Sequence, residues 1–223
     1  MTDVARGFEN HLPRKVVTGR GRSLRIAEEA GRLGLKRLFV ASDTGVAAAG
    51  LLEKVCEPLA AAGILAGSST AIPAEPPLES VEALGRVIRD AGADGVVALG
   101  GGSVMDAAKV ASVCAARGGS PGDYVGVGKA GGRGLPTILV PTTAGTGSET
   151  QSFALGSDAE THVKMACGDP KCAPRIALLV PELTVSMPRT VTVLTGIDAI
   201  AHAIDQAIAS AEQCLVETDW LAE

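Results

Sequence analysis

Aromatic side chains are nearly absent from this chain of 223 residues: one Trp, one Tyr and three Phe make up 2% of it. Its core therefore has to be built from Ala, Val, Leu and Ile. The five cysteines, Cys56, Cys114, Cys167, Cys172 and Cys214, contain no C-x-x-C pair. Cys167 and Cys172 flank a Gly168-Asp169-Pro170 turn, but no second pair completes a thiolate metal site, so reduced structural thiols are expected. No apolar run is long enough to span a bilayer and no hydrophobic signal segment is present, which argues against a membrane partner. With Met1 to Arg14 polar and mixed, the expected location is cytoplasmic. Basic residues are dispersed and never interleaved with aromatics, and the net charge is −5. Nucleic acid is thereby excluded as principal partner. There is no internal repeat and no low-complexity tract.

What is present is a rhythm of short apolar strands and longer helices. Leu24, Ile26, Ala27, Ala30 and Leu33 line one face of a helix ended by Gly34. Lys36 to Ser42 reads as a buried strand, Val46 to Ala62 as a helix closing at Gly63, and Ile64 to Ala66 as a second strand. After the extended Pro73 to Pro77 loop, Leu78 to Ala91 is helical again. Gly95 to Leu99 is a strand apolar enough to be buried on both faces, and Val104 to Ala116 is the next helix. A glycine-rich stretch, Gly118 to Gly134, is expected at the surface before the strand Pro136 to Val140. The alternation indicates βαβ units around a mainly parallel sheet covered by helices on both sides. Phe153 to Ala166 suggests a hairpin turning near Ser157-Asp158-Ala159-Glu160, and Ile176 to Val180 one more strand. From Met187 the chain turns helical, with Thr190 to Val193 and Gly196 to Ala211 as candidates. The spacing thus predicts an α/β dinucleotide-binding domain over 1–187 and the first helices of an all-helical domain over 188–223.

Two glycine-rich turns sit where such a sheet binds anions. Gly100-Gly101-Gly102-Ser103 follows a buried strand and opens a helix, where unpaired N–H groups and the positive end of the helix dipole meet. Three glycines let a pyrophosphate approach without a Cβ in the way. Ser103 and Asp106 have the spacing of a capping box. The second turn, Pro141 to Glu149, carries Thr142, Thr143, Thr146 and Ser148 after the next strand. Parallel strands put both turns on one sheet edge. Asp43, at the end of the strand closing at Ser42, offers a carboxylate to a ribose diol and would repel a 2′-phosphate, favouring NAD over NADP; it reads equally as a helix N-cap. The arrangement is not G-x-G-x-x-G. Farther on, Asp198 and His202 lie at i and i+4 on one helical face, so both can reach one divalent ion such as Fe2+, Zn2+, Mn2+ or Ni2+. Taken alone, such a pair is more often a surface salt bridge or a capped helix than a metal site, and two donors fall short of a catalytic site. His11 and His162 are expected as solvated side chains.

In combination these motifs resemble the iron-containing (group III) alcohol dehydrogenases. The residues that carry the resemblance are Gly100-Gly101-Gly102-Ser103-x-x-Asp106-x-x-Lys109, the Pro141 to Glu149 loop, Val180-Pro181-Glu182-Leu183-Thr184 and Thr195-Gly196-x-Asp198-Ala199-x-x-His202-Ala203. The resemblance implies an NAD(P)-dependent alcohol dehydrogenase or carbonyl reductase. A divalent metal, Fe2+ or Zn2+, would activate the oxygen of a small alcohol, aldehyde or ketone for hydride transfer. It implies Asp43 at the adenosine ribose, and Gly101, Gly102 and Ser103 at the pyrophosphate. Thr142, Thr143 and Thr146 would lie toward the nicotinamide, Lys164 at the ribose there, and Asp198 and His202 on the metal. A homo-oligomer is expected for a full-length form.

Val180 departs from the family, which commonly has Asp there. The chain also stops at Glu223, before the helices in which the family carries two further histidine ligands. It is therefore expected to be the N-terminal portion of a longer enzyme or a truncated product. Ile197, Ile200, Ala201, Ile204 and Ile208 would then be partly exposed. Two rival readings remain: an NAD-binding remnant without catalysis, and a related NAD- and metal-dependent enzyme of the dehydroquinate synthase or glycerol-phosphate dehydrogenase kind.

Overall fold

The computed structural model describes residues 12–157 and 164–218. Strands alternate with helices as the apolar pattern requires. They run β1 (Lys15–Thr18), α1 (Ile26–Arg32), β2 (Leu38–Ala41), α2 (Thr44–Ala48), α3 (Leu51–Ala61), β3 (Leu65–Ser69), α4 (Leu78–Asp90), β4 (Gly95–Gly100) and α5 (Gly102–Arg117). There follow β5 (Gly126–Val127), β6 (Thr137–Pro141), β7 (Phe153–Ser157), β8 (Lys164–Gly168), β9 (Ile176–Leu179) and α6 (Arg189–Thr218).

Six strands form one parallel sheet in the order β1-β9-β6-β4-β2-β3. Side chains alternate across it with the two-residue period of a strand. Leu38, Val40, Val97, Leu99, Ile138, Val140, Ile176 and Leu178 point to one face, where Ile26 of α1 and Val55 and Leu59 of α3 cover them. Phe39, Ala41, Val96, Ala98 and Leu139 point to the other, under Leu84 and Ile88 of α4 and Val104, Ala108 and Ala111 of α5. Burial on both faces is why these strands read as unbroken apolar runs. β5, β8 and β7 make a second, small sheet in which β7 and β8 run antiparallel. Their pairing is the expected hairpin, whose turn lies outside the described residues.

Several local expectations change. The helix expected over Val46 to Ala62 is two, because Gly50 takes φ 68° and turns the chain left-handed between α2 and α3. The two helical candidates after Met187 are one continuous helix, α6. Gly196 lies within it at a cost of about 1 kcal/mol, too little to break it. The Gly118 to Gly134 stretch is not all surface: it contains β5, and Ala130 is buried with its N–H bonded 3.0 Å from Asp169 Oδ2. β1 had no counterpart in the sequence reading. Ile197, Ile200, Ala201, Ile204 and Ile208 are exposed, as expected. Among the described residues no helix is long and apolar enough to cross a membrane.

Cys56, Cys114, Cys167 and Cys172 are free thiols. Burial pushes the Cys114 thiol up to about 12 and the Cys172 thiol up to about 11. A folded-state value raised above the unfolded one gives stability that is complete below the unfolded value and is lost as pH rises through the folded one. The urea midpoint should therefore fall as pH rises above about 9. Cys114→Ala should make that fall shallower; an unchanged slope would show that this thiol does not titrate with unfolding.

Candidate functional site

The chain leaves β2 in one direction across the sheet and β4 in the other, since β3 lies beyond β2 while β6 and β9 lie beyond β4. The crevice at the C-terminal ends of β2 and β4 is thus a topological switch point, the place where doubly wound sheets take ligands. A cleft of about 490 Å3 opens there, lined among others by Asp43, Gly101, Ser103, Thr142 and Thr143. The two glycine-rich turns are tied directly together: Gly100 pairs in register with Pro141, and Thr142 N donates to Gly100 O at 2.9 Å.

α5 opens at Gly102 with Gly101 as its N-cap, and no side chain satisfies its first N–H groups. The expected Ser103–Asp106 capping box is absent. Ser103 Oγ instead donates to Ala74 O, holding the loop after β3 against the turn. The free N–H groups at the mouth of α5 remain available to an anion. A Cβ at Gly101 would come within 3.4 Å of Thr143, and one at Gly102 within 3.3 Å of the Thr146 side chain, so the two turns pack against each other at these glycines. Thr143 Oγ1 and Thr146 Oγ1 are both buried without a hydrogen-bond partner.

Asp106 lies one turn deeper and serves another purpose. Its Oδ1 accepts from Lys109 Nζ at 3.1 Å and from Ser148 Oγ, and its Oδ2 accepts from Leu155 N at 3.0 Å. Lys109, fully buried, also donates to Ser148 Oγ at 3.1 Å and to Phe153 O at 2.8 Å. Burial pushes the Lys109 ammonium below its ordinary value against the pull of Asp106. The cluster clamps α5 to the Thr142–Glu149 loop and to β7. Sequence reasoning quoted Asp106 and Lys109 but gave neither this role; their i, i+3 spacing beside a buried helix face was the available signal.

Asp43 fulfils its capping reading: its Oδ1 accepts from Val46 N at 2.8 Å at the start of α2. It lines the cleft as well. Lys164 opens β8, but its side chain, like all of His11 and His162, lies outside the described residues. Glu182 anchors the turn after β9 by accepting from Gly21 N, and that bond holds its carboxyl below the usual carboxylate range.

Asp198 Oδ1 and His202 Nε2 face each other at 3.6 Å on an exposed side of α6, with side chains 45% and 60% accessible. The same helix meets the second turn at Gly145, where φ is +145° and an added Cβ would lie 2.0 Å from Thr195 O. The Asp198–His202 pair thus starts one turn along α6 from the second glycine-rich turn. Among the described residues no group of three or more His, Cys, Asp or Glu comes together. The donors present fit two positions of a metal site and do not make a complete one.

The likeness to known proteins agrees with this geometry. A family model described as iron-containing alcohol dehydrogenase matches residues 13–181. The chain is 38% identical over 197 residues to choline dehydrogenase of Bacillus subtilis (strain 168), covering 87% of this chain and 49% of that protein. The crystal structure of a 1,3-propanediol oxidoreductase superposes with a TM-score of 0.84 at 28% identity, over 89% of this chain and 52% of that one. Sulfoacetaldehyde reductase from Bifidobacterium kashiwanohense, solved in complex with NAD+, superposes with a TM-score of 0.79 at 29% identity, over 87% and 51%. The chain spans about half the length of the curated relatives it matches. With most of its length matched by one family model and its parallel sheet shared with that family's structures, the chain belongs to the iron-containing alcohol dehydrogenases.

Proposed function

We propose that the chain supplies the nucleotide-binding part of a cytoplasmic NAD-dependent dehydrogenase that interconverts a small alcohol with its aldehyde or ketone. The observation that carries this reading is the pair of buried, unpartnered hydroxyls of Thr143 and Thr146, set against Gly101 and Gly102 at the switch point. A buried polar group without a partner costs about 1–3 kcal/mol. A ligand bearing acceptors would remove that cost.

In this reading the free N–H groups at Gly102 and Ser103, with Gly101 beside them, hold the pyrophosphate. Asp43 meets the adenosine ribose and disfavours a 2′-phosphate, so NAD is preferred over NADP. Thr142, Thr143 and Thr146 run toward the nicotinamide, with Lys164 at its ribose. When bound, the nicotinamide supplies the hydride acceptor. The chain's own part is to orient that ring and to keep water from the 142–147 loop. Asp198 and His202 are two donors for a divalent ion, Fe2+ or Zn2+. The described residues bring no third donor to that pair. In this reading the boundary between the nucleotide domain and the helical part that carries this pair falls near Pro188, just before α6.

Calorimetric titration with NAD tests the reading. Thr143→Val and Thr146→Val should each weaken binding by roughly five- to tenfold, the worth of one hydrogen bond of about 1–1.5 kcal/mol. Neither should lower the melting temperature of the free chain, because each removes an unsatisfied group. NAD binding at unchanged affinity in both variants would take the hydroxyls out of the site.

A further inference from the structure

The edge of the sheet opposite the nucleotide cleft gathers positive charge. β1, β9 and β6 are neighbours there, and Arg14 and Arg175 immediately precede β1 and β9, while Arg133 comes shortly before β6. The three arginines line one cavity of about 370 Å3 whose remaining walls are Leu12, Ala173 and prolines 170 and 174. Among the described residues no acidic side chain lines it. A smaller adjoining hollow shares Arg133 and Arg175 and adds Lys171.

Among the described residues no carboxylate forms an ion pair with Arg14, Arg133 or Arg175. This is unlike the ordinary surface of a chain whose net charge is −5. The backbone at the centre is fixed rather than free to splay: Arg175 N donates to Thr137 O at 2.9 Å, and Arg175 O accepts from Lys15 N at 3.1 Å. Partial burial and the neighbouring Arg133 and Arg14 push the Arg175 guanidinium below its ordinary value. The three charges therefore act on one another, and a bound anion would relieve their mutual repulsion.

We propose that this cavity is a binding site for a small phosphoryl-bearing ligand, separate from the nucleotide cleft. A single carboxylate is satisfied by one guanidinium fork. Three guanidinium groups on one cavity match a multiply charged tetrahedral oxyanion, with several oxygens to accept their N–H groups. The cavity exceeds what a bare phosphate fills, so a phosphoryl group carried on a small organic body is the fitting occupant.

The test titrates the chain calorimetrically with inorganic phosphate and with pyrophosphate. Chloride balances the ionic strength, and each series is run with and without saturating NAD. One saturable phosphate site should persist when NAD is present. Arg133→Gln and Arg175→Gln should each weaken it by roughly tenfold or more, as expected for loss of a charge-assisted bidentate contact. NAD affinity should stay unchanged in both variants. Arg133 is exposed, so its variant tests the site even if Arg175→Gln folds poorly. Phosphate binding that disappears with NAD would place it in the nucleotide cleft and overturn the proposal. Binding that survives Arg133→Gln undiminished, or no saturable binding at all, would overturn it too. If NAD itself fails to bind, the nucleotide reading falls, and the arginine variants alone then decide this one.

Discussion

Lys109→Met is expected to cost about 3–5 kcal/mol of folding stability, the usual penalty for stripping one partner from a buried ion pair. For a chain of this size that corresponds to a drop in melting temperature of roughly 6–20 °C. The shape of the side chain is nearly kept, so the loss is electrostatic. Asp106 would remain buried, with only Ser148 Oγ and Leu155 N to donate to it. Adding Asp106→Leu should recover part of the loss, because the stranded carboxylate goes with it. A single variant that melts within a degree or two of the parent would mean that the pair does not hold this junction. The effect should reach the cleft, since the same ammonium bridges α5 to Ser148 and Phe153 O. NAD binding should weaken in Lys109→Met even at temperatures where the protein is fully folded.

The second large effect is expected at Gly145. Its φ of +145° is closed to residues with a side chain, and a Cβ there would sit 2.0 Å from Thr195 O. Gly145→Ala must move either the loop or α6. Backbone strain alone is worth about 1–3 kcal/mol, and the clash adds to it. The signature should be local: hydrogen exchange should speed up over the first two turns of α6, while β2, β4 and β6 keep their protection. In an intact enzyme of this family the same change should cut turnover far more than NAD affinity. The reason is that Asp198 lies one turn beyond Thr195 on the displaced helix. Unaltered exchange in α6 would show that the contact does not seat the helix.

The sheet was legible because buried parallel strands announce themselves as short apolar runs, and Gly95 to Leu99 or Thr137 to Val140 admit little else. The two glycine-rich turns were legible for a related reason: glycines in series after such a strand mark a tight turn at the strand's C-terminal end. β1 escaped because Lys15-Val16-Val17-Thr18 is an edge strand with one buried residue, and its partner Ile176 to Leu179 is far away in sequence. The break between α2 and α3 turned on a left-handed Gly50 inside an otherwise sound helical pattern. The Ser103–Asp106 capping box failed for the same reason that the Lys109 cluster was missed. Both depend on groups 29 to 49 residues away, Ala74, Ser148, Phe153 and Leu155, that no local spacing reveals.

The pairing of β1 with β9 also bears on how the chain is made. Strands β2, β3, β4 and β6 lie beside one another and can assemble as they emerge, each joining a surface already formed. β1 cannot, because its neighbour is β9, the last strand of the sheet in chain order. During synthesis the first strand has to wait, unpaired, until residues 176–179 have been added. Such late, long-range closure is the slow element of parallel folds. Lys15, the charged residue at its start, suits a strand that must stay out of false partnerships in the meantime.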